Sequence, residues 1–252
     1  MELVVNREIE EVRQKTHLEF ILVPGAGLRG WVWKDLQNEL SYPSTAIEFL
    51  NVDRESGIDD YEISALRQIE HSKIDKKILV THGEGGVLGL RLAASLGEQL
   101  VGMVSMASII PALGGSYLST LPTLRRVASK LYWRGLGTKP SEGAIQDTEC
   151  NDLNSSQIEE VIKRYHTESL GYYEDECGAL VPHVPRLYLK LLNDLAVRPE
   201  LQDQMIRNFS PTEVKEIPTG HLAMLREPAH LARLLDFFAD EQLLFRQHRR
   251  FG

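Results

Sequence analysis

Cysteine is scarce in this chain: Cys150 and Cys177 are the only two in 252 residues, and they stand apart without metal-ligand spacing. A disulfide framework and a structural zinc site are thereby excluded, and free thiols in a reducing compartment are expected. Long apolar runs are missing too. No stretch approaches the roughly eighteen residues that a spanning helix needs, and the opening Met-Glu-Leu-Val-Val-Asn-Arg-Glu-Ile-Glu lacks the apolar core of a signal peptide, so a cytoplasmic protein without a membrane partner is expected. Positive charge is also in deficit, with 28 Lys and Arg against 36 Asp and Glu and a net charge of −8. That balance disfavours nucleic acid, whose affinity rests on clustered Lys and Arg. The basic run Arg-Gln-His-Arg-Arg near the C-terminus is explained by a solvated helix end. Internal repeats and low-complexity tracts are absent.

What is present suits one globular core. Hydrophobic residues make up 42% and charged residues 25%, the ordinary range for a folded domain. Strand-like apolar runs at 18–23, 45–50, 77–82, 101–107, 187–192 and 212–217 alternate with helical spacing at 31–40, 59–72, 85–96, 198–208 and 228–246. In the last of these, Leu231, Leu234, Leu235 and Phe238 share one face. The alternation predicts an α/β fold, a mostly parallel doubly wound sheet with helices on both faces. The rhythm breaks between Pro111 and Pro185, where Gly114-Gly115, Gly135-Leu136-Gly137 and a helical stretch from Leu153 to His166 fall. Residues 111–185 therefore read as a helical cap inserted into a core made of 1–110 and 186–252, roofing a pocket.

Four local motifs carry chemistry. The first, Leu22 to Trp33, is a glycine-rich turn after a strand; Gly25, Gly27 and Gly30 fit a dinucleotide fingerprint only loosely, and no acidic ribose partner closes the next strand. The second is Thr81-His82-Gly83-Glu84-Gly85-Gly86, with Gly83 where a nucleophilic serine stands in the strand–turn–helix elbow G-x-S-x-G. Such an elbow strains its central residue by about 1–3 kcal/mol, glycine relieves the steric part, and Thr81 and Gly85 supply small neighbours. A plain tight turn in a doubly wound sheet would look similar. The third is the strand Arg186 to Leu192 followed by Asn193 and Asp194; alone, such an acid is more often a helix cap or turn former. The fourth, Pro218-Thr219-Gly220-His221-Leu222-Ala223-Met224-Leu225-Arg226-Glu227-Pro228, puts a histidine in a loop before a helix.

Taken together and in this chain order, the motifs resemble the methylesterase and hydroxynitrile-lyase branch of the α/β-hydrolases, over residues 18 to about 240. The resemblance implies an α/β-hydrolase fold in which Asp194 orients His221, and the backbone N–H groups of Ala26 and Glu84 form an oxyanion hole. Pro24 stands where the family often has histidine, which leaves the N–H supply intact. The Glu84 side chain is expected to be solvated or hydrogen-bonded, and His82 to pack behind the elbow. No cofactor and no metal are implied. His17, His71, His166, His183, His230 and His248 show no ligand-like grouping; His166 and His183, with Tyr172, Tyr173 and Trp133, are the candidates to line a pocket, although aromatics in a small cap also form its core.

Gly83 cannot attack a carbonyl, and a protein lacking one triad member retains only about 10³ to 10⁴ of rate over water in the serine-protease case. Three readings follow. One is noncovalent acid–base chemistry on a small carbonyl- or ester-containing metabolite, such as cyclisation, lyase chemistry or direct water attack, with no acyl-enzyme. Another is an esterase whose serine has been replaced by Gly83. The last is a ligand-binding pseudoenzyme. A displaced nucleophile at Ser105 or Ser108 would require the triad geometry to be rebuilt.

Overall fold

The computed structural model describes residues 17–250; the first ten residues, on which the signal-peptide reading rests, lie outside them. Six strands, β1 (Leu18–Val23), β2 (Ser44–Ala46), β3 (Lys76–His82), β4 (Leu100–Met106), β5 (Arg186–Leu191) and β6 (Glu213–Ile217), form one sheet in the order β2-β1-β3-β4-β5-β6. Every pairing is parallel. The central strands are apolar without alternation because both faces are covered: Phe20, Ile21 and Leu22 of β1 and Ile78, Leu79 and Val80 of β3 are all fully buried.

Helices α1 (Lys34–Glu39), α2 (Ile58–Ile69) and α3 (Gly85–Leu96) follow the first three strands, and α8 (Pro199–Phe209), α9 (Ala223–Arg226) and α10 (Pro228–Arg250) complete the core. Gly102 and Met103 of β4 show how the two layers divide. A β-carbon on Gly102 would meet the Phe238 ring of α10, whereas Met103 reaches Gly89 of α3. Consecutive strand residues point to opposite faces, so α3 and α10 cover opposite sides of the sheet.

The expected strand at 45–50 is cut to three residues. Ile47 still donates its N–H to Leu22 O at 2.9 Å, but Leu50 then bonds back to Glu48 and Asn51 turns at φ 57, which carries the chain out of the sheet. From β1 the chain runs outward to β2 and returns on the other side as β3. This is the topological switch point of an open α/β sheet, and the loops after β1 and β3 meet there.

Between β4 and β5 lie a short 3₁₀ turn (Tyr117–Thr120), α4 (Thr123–Leu136), α5 (Glu142–Thr148), α6 (Ser155–Arg164) and α7 (Leu170–Glu174), with no strand among them. Polar ties hold this helical insertion down. Glu168, buried, accepts from Gly27 N–H at 3.1 Å, Arg29 Nη1 at 2.6 Å and the Tyr61 hydroxyl at 2.8 Å. Asn151 Nδ2 donates to Asn193 O at 2.9 Å, and Asp152 Oδ2 accepts from Gly220 N–H at 2.6 Å. Helix α4 is turned the other way, since Leu124, Val127 and Leu131 of its apolar stripe face solvent, Leu124 at 89% exposure. Among the described residues no helix is long and apolar enough to cross a membrane.

Candidate active site

The bend after β3 is set by its backbone. Gly83 sits at φ +50, in the left-handed region that glycine enters freely. Its N–H donates to Met106 O at 3.3 Å, and its carbonyl accepts from Ile109 at 2.8 Å and Gly86 at 3.2 Å. Two residues on, a β-carbon at Gly85 would lie 2.3 Å from Pro24 O, so the start of α3 is pressed against the loop after β1. This close approach sets the bend against the loop that carries Ala26.

His221 and Asp194 arrive from the loops after β6 and β5. Both are buried, and His221 Nδ1 donates to Asp194 Oδ2 at 2.8 Å. The other carboxylate oxygen, Oδ1, accepts from the N–H groups of Ala196 and Val197, each at 2.8 Å, so the acid caps its own loop while holding the ring. Behind them, His82 Nε2 lies 3.0 Å from the His221 carbonyl. A carbonyl only accepts, so Nε2 carries the hydrogen. Burial and the neighbouring His221 hold the His82 imidazole well below the usual histidine range, and hence neutral. His82 thus anchors the backbone of residue 221 as well as packing against its ring, at 4.3 Å between centroids.

The far side of the His221 ring faces Gly83. A β-carbon there would stand 3.3 Å from Nε2 and 3.4 Å from Cε1. Burial opposes a charge on this ring, but the Asp194 charge and hydrogen bond, followed by Glu149 and Glu84, overcome it and push the imidazole up to about 9. His221 is therefore cationic at neutral pH.

Two further carboxyls surround that cation. Burial raises the Glu84 carboxyl, while the His221 charge and the N–H groups of Glu84 itself and Ala26 favour its charged form. Glu149, in the turn after α5, accepts from the Tyr165 hydroxyl at 2.7 Å. The Tyr165 ring fills the space over Gly27, where a β-carbon would come within 2.1 Å of it. Burial pushes Glu149 up to about 7, with His221 and Tyr165 lowering it and Glu84 and Asp194 raising it.

The other sequence candidates fall on either side of this cluster. Tyr173 stacks with Trp133 at 4.6 Å and meets Tyr117 edge-on at 5.3 Å, an aromatic core of the insertion. Tyr172 is buried against Tyr61 at 4.6 Å. His166 and His183 have exposed side chains. Ser105 and Ser108 are sealed below the bend, Ser108 Oγ bonding Thr81 O at 2.9 Å. Both cysteines are free and buried. Among the described residues no group of His, Cys, Asp and Glu has the arrangement of a metal site. Sequence reasoning missed Glu149 and Tyr165, because an acid or tyrosine in a weakly patterned insertion carries no local signature; only their mutual hydrogen bond and the Tyr165 ring over Gly27 mark them.

Residues 20–234 match the profile of the Alpha/beta hydrolase family. Among curated proteins, Methylesterase 7 of Arabidopsis thaliana is 23% identical, over 88% of this chain and 96% of its own length. A similar solved structure is an extracellular alpha/beta-hydrolase from a Paenibacillus species, described as sharing structural and functional homology with Tobacco Salicylic Acid Binding Protein 2. It has a TM-score of 0.78 at 16% identity and covers 86% of this chain and 97% of that one. Another is a histidine-to-alanine variant of tomato Methylketone Synthase I complexed with beta-ketoheptanoate, with a TM-score of 0.71 at 17% identity, covering 90% and 99%.

Proposed function

Because this chain belongs to the alpha/beta hydrolase family, we propose that it is an enzyme of noncovalent acid–base chemistry on a small carbonyl- or ester-containing metabolite, forming no acyl-enzyme. One observation carries the reading: an imidazole fixed by a buried carboxylate faces a residue, Gly83, that has no side chain to attack with. Asp194 holds the ring and balances its charge. His221, cationic at rest, donates Nε2–H to the carbonyl oxygen of a substrate seated over Gly83. The Ala26 and Glu84 amides serve as the oxyanion hole for the substrate oxygen. The insertion at 111–185 is the cap that roofs the pocket. Cyclisation, lyase chemistry and direct water attack all fit such an arrangement. A structural neighbour named as a synthase and complexed with a β-keto acid supports a carbonyl substrate.

General acid–base groups of this kind contribute about 10² to 10⁴ in rate. His221→Ala is accordingly expected to lower turnover of a carbonyl substrate by that order; unchanged turnover would remove the proposal. A second reading, an esterase with its serine replaced, draws on the methylesterase relative and on a ring still placed for a serine at 83. Hydrolysis of p-nitrophenyl acetate by Gly83→Ser separates the two. A rise of 10² or more, on the order of what one acid–base partner contributes, favours the esterase, and a flat response favours the noncovalent enzyme.

A further inference from the structure

We propose that Glu149, delivered by the helical insertion, is the catalytic carboxyl that moves the proton in this site, and that His221 is its charged partner and not the base. The inference rests on the acid–base reading above and assigns the step that reading leaves open.

The placement of Glu149 is fixed by its sequence neighbours. Two and three residues on, Asn151 and Asp152 bond to Asn193 O and Gly220 N–H, the backbone groups immediately before Asp194 and His221. The contact at Gly220 is tight: a β-carbon there would lie 2.5 Å from Asn151 Oδ1 and 2.6 Å from Asp152 Oδ1. The turn that carries Glu149 is thereby pinned to the two loops that carry the acid and the histidine. Tyr165, packed over Gly27 of the loop after β1, holds Oε1 of the carboxyl at 2.7 Å. Oε2 has no hydrogen bond among the described residues.

The other carboxyls are already committed. Asp194 uses both oxygens, one on His221 and one on the Ala196 and Val197 amides. Glu84 lies against the loop after β1, its Oε2 3.5 Å from where a β-carbon on Gly25 would stand, and the Ala26 and Glu84 amides favour its charged form. His221 carries a proton on each ring nitrogen at neutral pH and has no lone pair to accept another. Glu149 is bonded to Tyr165, and burial, opposed by the His221 charge, raises its carboxyl to about 7, where a carboxyl both accepts and returns a proton.

The step balances without any further reagent. The Glu149 carboxylate takes a hydrogen from the carbon beside a carbonyl; the C–H bond breaks and an O–H bond forms. The released electron pair becomes the C=C bond of an enolate, and the carbonyl π pair moves onto oxygen, which His221 Nε2–H holds. Return of a proton from Glu149 restores the carboxylate.

The test uses the full chain and ethyl 2-methylacetoacetate, following exchange of the single hydrogen on C2, between its two carbonyls, in D₂O by proton NMR across pH. Wild type is expected to exchange faster than buffer with a rate limb near 7. Glu149→Gln should lose about 10² or more of that rate with little change in KM, Glu149→Asp should recover part of it, and Tyr165→Phe should move the limb upward because the phenol lowers the carboxyl. Carbon-13 NMR of labelled glutamate provides a readout apart from activity: one carboxyl titrates near 7 in wild type and is missing from folded Glu149→Gln. Exchange by Glu149→Gln at the wild-type rate, with His221→Ala inactive, overturns this inference and leaves the acid–base reading standing. No glutamate titrating between about 6 and 8 overturns it as well. Wild type exchanging no faster than buffer overturns both.

Discussion

At the scale of single residues, the site pairs charges that respond to pH in separate windows. The His221 imidazole is raised in the fold to about 9 from an ordinary value near 6.5. Its ion pair with Asp194 therefore contributes stability that is complete below about 6.5 and is lost as pH rises through about 9. Glu149 has the same sign in a lower window, since a carboxyl raised to about 7 favours the fold when protonated and opposes it once ionised. Urea unfolding measured from pH 5 to 10 should show stability falling in two stages. Asp194→Asn is expected to flatten the upper stage and Glu149→Gln the lower one, so Glu149→Gln should be at least as stable as wild type above pH 7 while losing activity. A Glu149→Gln protein that is less stable at pH 8 would contradict the buried-charge account.

At the scale of elements, two helices that look equally amphipathic do different work. In α8, Gln202 is fully buried and completes the end of β5: its carbonyl accepts from Leu191 N–H at 2.9 Å, and its amide donates to Leu191 O at 2.9 Å and Val197 O at 2.7 Å. These bonds hold the turn that carries Asp194. Gln202→Leu would strand three buried backbone groups, each worth about 1–3 kcal/mol when left unpaired, and is expected to cost at least about 3 kcal/mol by denaturant unfolding. Helix α4 gives the contrast. Leu124 is exposed, and Leu124→Glu should change stability by no more than about 0.5 kcal/mol despite the loss of a leucine. Hydrophobic spacing alone does not distinguish these cases, because it reports that a stripe exists and not which way it faces.

At the scale of the whole molecule, the sheet and the bend were legible in the sequence for a common reason: their signals are local. Runs such as Ile78-Leu79-Val80 announce strands buried on both faces, and the glycines around residue 83 mark a turn that larger residues could not make. Asp194 and His221 stood in recognisable strand-end and loop settings, and the structure joins them. The length of β2 was not legible, because the chain leaves the sheet through hydrogen bonds within 48–51 that no apolar pattern foretells. Glu149 was invisible for a deeper reason. Its position depends on Asn151 and Asp152 reaching partners 42 and 68 residues away, and side-chain to backbone ties at such range leave no periodicity. Removing both ties in Asn151→Ala/Asp152→Ala should speed amide hydrogen exchange at residues 193–197 and 219–222 together, whereas β1 and β3 keep their protection; slow exchange unchanged at both loops would refute the coupling.

Those two ties also act as a latch with its keeper built into the machinery. Because the turn at 149–152 grips Asn193 and Gly220 together, a displacement of that turn would be felt at once by the loops that carry the acid and the imidazole.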